Sequence, residues 1–308
     1  MQPDKLVALM DLDGLRLDTA FDPETWAAAS AELAARAAAK APRAGAESNV
    51  AVLPLKGTLI PGGDLFSMIF GFGGDPLQTF RAGLAQAVSD PGVDAIVMDV
   101  DSPGGVVDQI PEAAREIRQA RNRKPVVAVA NTQADSAAYW LASQAHEIVA
   151  SDSSEVGSIG VYRLHRDLSE AHAQKGIKPT LISAGKYKVE GNPYQPLDDD
   201  STAAMQAEVN DYYDMFVKDV AKGRGVTTGA IKSGYGEGRA LHAAQAVSAG
   251  LADRVDTLPA TVRRLSTEQG RSAVTDRQVA ADEPLEPVRA EVQYTPDERR
   301  RLLAVLAV

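Results

Sequence analysis

Residues 95–105 read Ala-Ile-Val-Met-Asp-Val-Asp-Ser-Pro-Gly-Gly, an apolar stretch that leads straight into a pair of glycines. A short apolar run that ends at a turn signal predicts a buried strand, which we place at Ala95–Val100. Gly104 and Gly105 follow it. Because glycine has no side chain, it lets backbone N–H groups approach another group closely. The stretch therefore predicts a buried strand that ends in a turn able to hold a ligand.

Predicted strands and helices alternate on both sides of this stretch. Further strands are predicted at Val50–Leu55, Val126–Ala130, Glu147–Ala150, Ser158–Val161 and Thr180–Ser183. Helices are predicted at Pro76–Val88, Gln109–Ala120, Ala137–Gln144 and from Asp198 to Gly223. Such alternation indicates βαβ units and a mostly parallel sheet, hence an α/β fold. Catalytic groups are expected at the carboxyl ends of its strands.

Two further motifs supply reactive side chains. Asp135-Ser136-Ala137-Ala138-Tyr139 places a serine at a predicted strand-to-helix junction, and Gly185-Lys186-Tyr187-Lys188 supplies lysines. A serine hydroxyl needs a neighbouring base to become a nucleophile. Lysine can be that base when it is neutral, a form that burial favours. With a glycine turn to hold an oxyanion, these are the parts of an acyl-transfer site.

The motifs resemble those of peptidase family S49, which comprises the signal peptide peptidase A proteases and the phage head-maturation proteases. The resemblance runs from Val50 to Leu258 and includes a fourth motif, Glu155–Val161. It implies a Ser-Lys dyad in which Ser136 is the nucleophile and Lys188 the general base. It also implies that Ser158 orients the lysine through a hydrogen bond. The fold implied is the ClpP/crotonase-like superfold with repeated ββα units.

The predicted oxyanion hole consists of backbone N–H groups from Gly104, Gly105 and Ala137. One departure from the family concerns the residues that follow the nucleophile. Many relatives carry glycines where this chain has Ala137 and Ala138. The two added methyl groups narrow the predicted cleft, although alanine is still small.

Other residues compete with Lys188 for the role of base. Lys186 would share a strand face with Lys188, so geometry alone does not choose between them, whereas the family spacing favours Lys188. Histidine is the commonest general base in enzymes. Of the four histidines, His165 is the serious alternative, by analogy with caseinolytic proteases that use Ser-His-Asp. The other three lie in, or at the far end of, predicted helices: His146, His172 and His242.

Composition excludes several classes of function. The formal net charge of −10 argues against a general nucleic-acid binder, because contact with phosphates requires a basic surface. The chain has no cysteine, which excludes disulfides, thiolate metal sites and a cysteine nucleophile. The histidines lack metal-ligand spacing, and no phosphate-binding lysine loop is present. We therefore expect neither a metal nor a cofactor.

The sequence also predicts where in the cell the protein is found. Met1–Lys5 has neither the basic start nor the apolar continuation of a signal peptide. No segment approaches the roughly 20 apolar residues of a membrane span. We expect a protein that is not secreted and not bound to a membrane. The phage-type branch of the family implies the cytoplasm of a bacterial host or a phage prohead.

Changes in composition predict three regions. Residues 1–48 are an alanine-rich helical arm with a linker, residues 49–260 the protease domain, and residues 261–308 a flexible tail with a short terminal helix. The apolar, glycine-rich segment 61–74 is either a mobile loop or a flap or subunit contact. Because the alanine-rich arm and segment 61–74 both look like surfaces that need a partner, we expect a homo-oligomer, as in relatives.

The leading hypothesis is a serine endopeptidase that processes capsid or scaffold proteins during phage head maturation, as the family resemblance implies. A crotonase-type acyl-CoA enzyme is the first alternative, since it shares the fold and the oxyanion glycines. A catalytically idle assembly scaffold is the second, because a dyad can be present in a sequence and never assemble.

Overall fold

The computed structural model describes residues 50–61 and 75–275. In these ranges the strands are β1 Val50–Lys56, β2 Ala95–Ser102, β3 Val126–Asp135, β4 Glu147–Ala150, β5 Glu155–Gly157, β6 Ala240–His242 and β7 Arg254–Val255. The helices are α1 Pro76–Ser89, α2 Ile110–Arg121, α3 Ala137–Ala142, α4 Ser169–Gln174, α5 Asp199–Arg224, α6 Thr228–Gly234, α7 Ala243–Ser248, α8 Leu258–Leu265 and α9 Glu268–Thr275. A short 3₁₀ turn covers Gly236–Gly238.

The strands form one mostly parallel sheet in the order β1-β2-β3-β4-β7. β3 is paired twice on the same side: Val127–Ala130 pair with β4, and Gln133–Asp135 pair with β5. β6 runs antiparallel to β5. The carboxyl end of β3 is therefore enclosed between β2 and β5, and this position decides where the residue after Asp135 lies.

Each face of the sheet has its own apolar core. The larger core lies on the face covered by α1, α2 and α3, where Ile96, Met98 and Val100 of β2 are buried. On the opposite face, Val97 and Val129 form a smaller core with Leu265 and Val274. Alternation of side chains along a strand explains why neighbouring residues of β2 serve different cores.

The long helix α5 fixes the helix that follows Ser136. It begins behind Asp198, whose carboxylate accepts the Ser201 N–H at 2.7 Å, and it ends at Gly225 with a φ of 65°. Phe216 of α5 stacks on Trp140 of α3 with ring centroids 4.6 Å apart. The Trp140 indole also donates to Asp219 at 2.8 Å. None of the helices in the described ranges combines the length and apolar character that a membrane crossing requires.

Most predicted strands and helices are confirmed, β4 with identical bounds. Two predicted strands are wrong. Ser158–Val161 is not a strand, because pairing with β3 and β6 ends at Gly157 and Ser158 has a φ of 53°. Thr180–Ser183 is not a strand either: it pairs with nothing in the described part of the chain, and Ile182 is 95% exposed. Both predictions rested on short apolar runs, which do not specify a pairing partner.

The prediction of a flexible tail from residue 261 is wrong for its first residues. Most of α8 and all of α9 fall within residues 261–275, and Thr261, Leu265 and Val274 are fully buried. The composition is polar because only one side of each short helix is buried. The remaining domain boundaries stay predictions, since the N-terminal arm, segment 62–74 and the terminal helix lie outside the described residues.

Candidate active site

Ser136 occupies the junction between β3 and α3 in a backbone conformation that non-glycine residues rarely adopt, with φ 52° and ψ −124°. Such a conformation costs on the order of 1–3 kcal/mol and persists only where the surroundings enforce it. Here the Ser136 N–H donates to the Gly157 carbonyl at 2.8 Å, and its own carbonyl accepts the Trp140 N–H at 2.9 Å. The sharp turn presents the partly buried serine side chain at the end of the sheet.

Gly104 packs directly against this serine. A Cβ atom on Gly104 would lie 2.7 Å from the Ser136 Cβ and 2.9 Å from the Ala137 nitrogen. The residue also has a φ of 93°, in the region that favours glycine. The requirement for glycine at this position is therefore both steric and conformational. The structure thus brings together the glycine turn, the predicted nucleophile and the Ala137 amide.

The direction of the Gly105 amide follows from the bonds of its neighbours. The Leu59 N–H donates to the Gly104 carbonyl at 2.8 Å, and the Val106 N–H donates to the Leu59 carbonyl at 3.0 Å. Backbone groups of successive residues in an extended chain point to opposite sides. The Gly105 N–H therefore points away from Leu59, toward the side of β2 on which β3 and Ser136 lie.

The Gly104 N–H is used within the turn. It donates to the Ser102 Oγ at 3.1 Å, and both residues are buried. Ala137 is the first residue of α3, where backbone N–H groups have no acceptor within the helix. Of the three predicted oxyanion donors, Gly105 and Ala137 therefore have N–H groups oriented for an external acceptor, whereas that of Gly104 is engaged.

Ser158 is bonded to the residue whose carbonyl contacts Ser136. It follows Gly157, whose carbonyl accepts the Ser136 N–H, and its own N–H donates to the Arg239 carbonyl at 3.0 Å. We call the residues around Ser136, namely Ser102–Gly105, Asp135–Ala137 and Gly157–Ser158, the nucleophile corner. Five of the six predicted site residues belong to it: Gly104, Gly105, Ser136, Ala137 and Ser158.

Lys188 is the predicted site residue that the structure does not bring to this corner. It lies in residues 159–197, which we call the base segment and in which α4 is the single regular element. Its side chain is exposed and makes no hydrogen bond or ion pair with any described residue. Contact between the Lys188 amine and the Ser136 hydroxyl is therefore not formed within one chain in this structure.

The competing bases in the base segment are engaged elsewhere. The Lys186 amine donates to the Tyr187 hydroxyl at 2.7 Å, and this hydrogen bond raises the pKa of Lys186. A raised pKa disfavours the neutral amine that a general base requires. The His165 Nε2 lies 3.0 Å from the Asn192 carbonyl oxygen. Neither side chain contacts Ser136.

None of the remaining histidines has a hydrogen bond to Ser136 among the described residues. His146 is half-buried, and its Nδ1 accepts the Val126 N–H at 3.1 Å, so it lies at the amino end of β3. Ten-residue β3 separates it from Ser136 by ~30 Å, and burial lowers its pKa to about 4. His172 lies in α4 as predicted. The helical prediction for His242 is wrong, because this residue ends β6, 3.6 Å from the Glu155 carboxylate.

Among the residues of the nucleophile corner that received no role from the sequence, two carry polar side chains, Ser102 and Asp135. Ser102 belongs to the glycine motif, but its hydrogen bond with Gly104 has no signal in the spacing of the sequence. Asp135 immediately precedes the nucleophile, and its Oδ1 is buried without a hydrogen-bond partner among described residues. Burial, with a smaller contribution from Glu155, raises the pKa of Asp135 to about 6. The signal that could have identified Asp135 from the sequence is a carboxyl group next to the predicted nucleophile.

Comparison with known proteins decides the family. The model of peptidase family S49 matches residues 118–272, which contain Ser136, Ser158 and Lys188. The chain belongs to peptidase family S49. The α/β sheet described above agrees with the ClpP/crotonase-like fold of S49 proteins, so the predicted fold class is confirmed.

Several curated relatives share this S49 region. The chain is 35% identical over 208 residues to capsid assembly protease C of Escherichia phage lambda, covering 68% of the chain and 46% of the relative. It is 34% identical over 211 residues to head-tail preconnector protein GP5 of Enterobacteria phage P21, covering 68% and 41%. It is 30% identical over 165 residues to serine protease SPPA, chloroplastic, of Arabidopsis thaliana, covering 53% and 24%. The chain thus spans less than half the length of these relatives.

Proposed function

We propose that this S49 protein is a serine endopeptidase with a Ser136–Lys188 dyad. The observation that carries the proposal is the strained backbone of Ser136, held against Gly104 and Gly157. Strain enforced at a serine on a strand-to-helix turn is typical of a nucleophile that must stand clear of the sheet. The printed name of the Arabidopsis relative, a serine protease, supports the same chemistry.

The geometry supports an acyl-transfer sequence. The Ser136 Oγ attacks the scissile carbonyl carbon while Lys188 accepts the hydroxyl proton. The N–H groups of Gly105 and Ala137 stabilise the resulting oxyanion, a contribution of about 3–4 kcal/mol per donor in comparable sites. Lys188 then returns the proton to the leaving amine, and water hydrolyses the acyl-enzyme by the same steps. Ser158, beside Ser136, orients the lysine.

Assembly of several chains would supply the contact between Lys188 and Ser136 that a single chain does not form. The base segment exposes large apolar side chains that a solvated loop does not need: Tyr162, Leu164, Leu168, Ile177, Leu181, Ile182, Tyr187 and Tyr194. Large apolar side chains exposed in such number along one segment mark a surface for protein contact. We propose a homo-oligomer in which this surface is covered and Lys188 is brought to a Ser136 side chain. No contact with nucleic acid or a membrane enters the proposal.

The names of two relatives suggest the substrate. One is a phage capsid assembly protease and the other a phage head-tail preconnector protein. We propose that this chain cleaves capsid or scaffold proteins during head assembly, in the cytoplasm of the bacterial host or inside the prohead.

The test combines a serine-directed probe with a biological substrate. A fluorophosphonate should label the wild-type protein on Ser136, and mass spectrometry should find cleaved capsid or scaffold protein after co-expression. Ser136→Ala and Lys188→Ala should each abolish both signals, whereas Lys186→Ala should abolish neither. Because the dyad acts as one unit, the double variant should be no worse than either single one.

Two results would contradict the proposal. Full activity in Lys188→Ala with loss in Lys186→Ala or His165→Ala would remove Lys188 from the dyad. Absence of labelling in an assembled wild-type protein would instead favour an acyl-CoA enzyme or an idle scaffold.

A further inference from the structure

Ser102 is a buried hydroxyl directly beneath the glycine turn. It ends β2, has no exposed surface and accepts the Gly104 N–H at 3.1 Å. Strand β2 leaves its regular register at this point, with a shift between Val100 and Ser102. The Ser102 hydroxyl is therefore the acceptor that stands in for a strand partner where the chain turns toward Ser136.

The hydrogen bond from Gly104 to Ser102 fixes the orientation of the next peptide, the one between Gly104 and Gly105. Three contacts hold Gly104 in place. Its N–H donates to the Ser102 hydroxyl, its carbonyl accepts the Leu59 N–H at 2.8 Å, and its α-carbon packs against the Ser136 side chain. With these groups fixed, the peptide between Gly104 and Gly105 has one available orientation. That orientation directs the Gly105 N–H toward the nucleophile.

Burial alone does not give a hydroxyl group this role. The Ser154 Oγ and the Thr261 Oγ1 are also buried, and neither has a hydrogen-bond partner among the described residues. Ser102 differs because its hydroxyl is bonded to the turn that contacts the nucleophile. Without that acceptor, the buried Gly104 N–H would be unsatisfied, a state that proteins avoid by moving the backbone.

We propose that Ser102 is a positioning residue for the oxyanion hole. Its hydroxyl accepts the Gly104 N–H and so holds the Gly105 N–H where the oxyanion forms. The inference rests on the proposed peptidase function, but it adds a side chain that acts on the hole through the backbone. Displacing a reacting group by about 1 Å can lower a rate ~100-fold, so a small rotation of this peptide is enough.

The test uses two substitutions of the same shape. Ser102→Thr keeps the hydroxyl, whereas Ser102→Val replaces it with a methyl group. In the full-length protein, Ser102→Val should lower kcat roughly 10- to 100-fold relative to Ser102→Thr, with KM within about twofold, because one donor is misplaced rather than removed. Affinity for a peptide boronate, which forms a tetrahedral adduct, should fall in parallel with kcat.

Ser154→Ala is the matched control, because it alters a buried serine outside the corner and should leave kcat unchanged. Hydrogen exchange of peptides covering residues 101–106 gives a readout independent of catalysis, and it should be faster in Ser102→Val than in Ser102→Thr. Equal kcat, boronate affinity and exchange in the two variants would overturn the proposal. If wild-type and Ser136→Ala proteins have the same activity, the peptidase function itself has failed, which is a distinct result.

Discussion

The nucleophile corner and the base segment differ in how completely one chain builds them. In the corner, strand pairing, a buried hydroxyl and two close glycine contacts fix the backbone around Ser136. In the base segment, Lys188 is exposed and its side chain has no partner among the described residues. Folding of one chain thus completes the corner, whereas it leaves the base segment open.

The two regions differ in the contacts that stabilise them. A strained nucleophile requires rigid surroundings, because strain relaxes wherever the neighbours allow it. A segment with exposed apolar side chains gains its stability by covering them, which a second molecule can do. Substitutions in the corner should therefore alter chemistry directly, whereas substitutions in the base segment should act through assembly.

The largest effect is expected from Gly104→Ala. The new methyl group would overlap the Ser136 side chain at 2.7 Å, and the backbone would be strained at a φ of 93°. We expect kcat to fall at least ~100-fold, because the nucleophile and the turn must move apart. Steady-state kinetics with a peptide substrate, below the melting temperature of the variant, measures the loss.

Gly176→Ala is the control for backbone strain. Gly176 has a φ of 69°, and a Cβ there would have no neighbour within 4 Å. The substitution should cost about 1–2 kcal/mol of folding stability and leave kcat unchanged. Equal losses of kcat in the two variants would mean that the close contact with Ser136 has no catalytic role.

An intermediate effect is expected from Ile182→Asp in the base segment. Because Ile182 is 95% exposed, the substitution should change the free energy of unfolding by less than about 0.5 kcal/mol. It should nevertheless dissociate the oligomer and lower activity in proportion, as light scattering and a peptide assay would show.

Met215→Asp provides the comparison, since Met215 is an exposed apolar residue on α5 outside the base segment. It should leave both assembly and activity unchanged. A wild-type protein that is a fully active monomer at micromolar concentration would contradict the role of assembly.

A smaller effect is expected when Ser136→Gly is compared with Ser136→Ala. Both variants lack the Ser136 hydroxyl, but glycine tolerates the φ of 52° that alanine must strain to adopt. The glycine variant should be more stable by about 1 kcal/mol, after allowing for the greater entropy of glycine in the unfolded chain. Denaturant unfolding measures the difference.

Glu237, a non-glycine residue with a φ of 50°, lies outside the corner. The difference in stability between Glu237→Gly and Glu237→Ala shows how much relief of backbone strain alone contributes. If the alanine variant of Ser136 is the more stable one, the backbone at this position is not strained.

The smallest effect concerns Asp135. Its folded pKa of about 6 lies above the ordinary value of 3.8, so the folded state binds the proton more tightly than the unfolded state. Stability should therefore decline as the pH rises from about 4 to about 6, and Asp135→Asn should remove that decline. Because the carboxyl is only partly buried, we expect a gain of about 1 kcal/mol, or ~2–4 °C in Tm, at pH 7.

Thermal melts should show no gain below pH 4, where both side chains are neutral. An equal gain at pH 3.5 and pH 7 would mean that the substitution acts through packing rather than through charge.

The sequence predicted more of the corner than of the base segment. Ser136 and the glycine turn follow strands whose apolar runs are long and flanked by clear helices, so periodicity located them. The strand predicted at Thr180–Ser183 failed because a short apolar run also describes a contact surface, as the exposure of Ile182 shows. The bond from Gly104 to Ser102 depends on the fold of the turn, which spacing does not encode.

The bonds of the corner also bear on the order in which the protein becomes active. Segments far apart in the chain meet here: Gly104 packs against Ser136, and hydrogen bonds join Ser136 to Gly157 and Ser158 to Arg239. Contacts between distant segments form late in folding, because the intervening chain must first be made and ordered. A nascent chain therefore lacks a complete corner until β6 has been synthesised. We expect amide hydrogens of residues 101–106 to exchange faster in ribosome-bound chains truncated before Arg239 than in chains that include β6; equal exchange would show that the corner forms earlier.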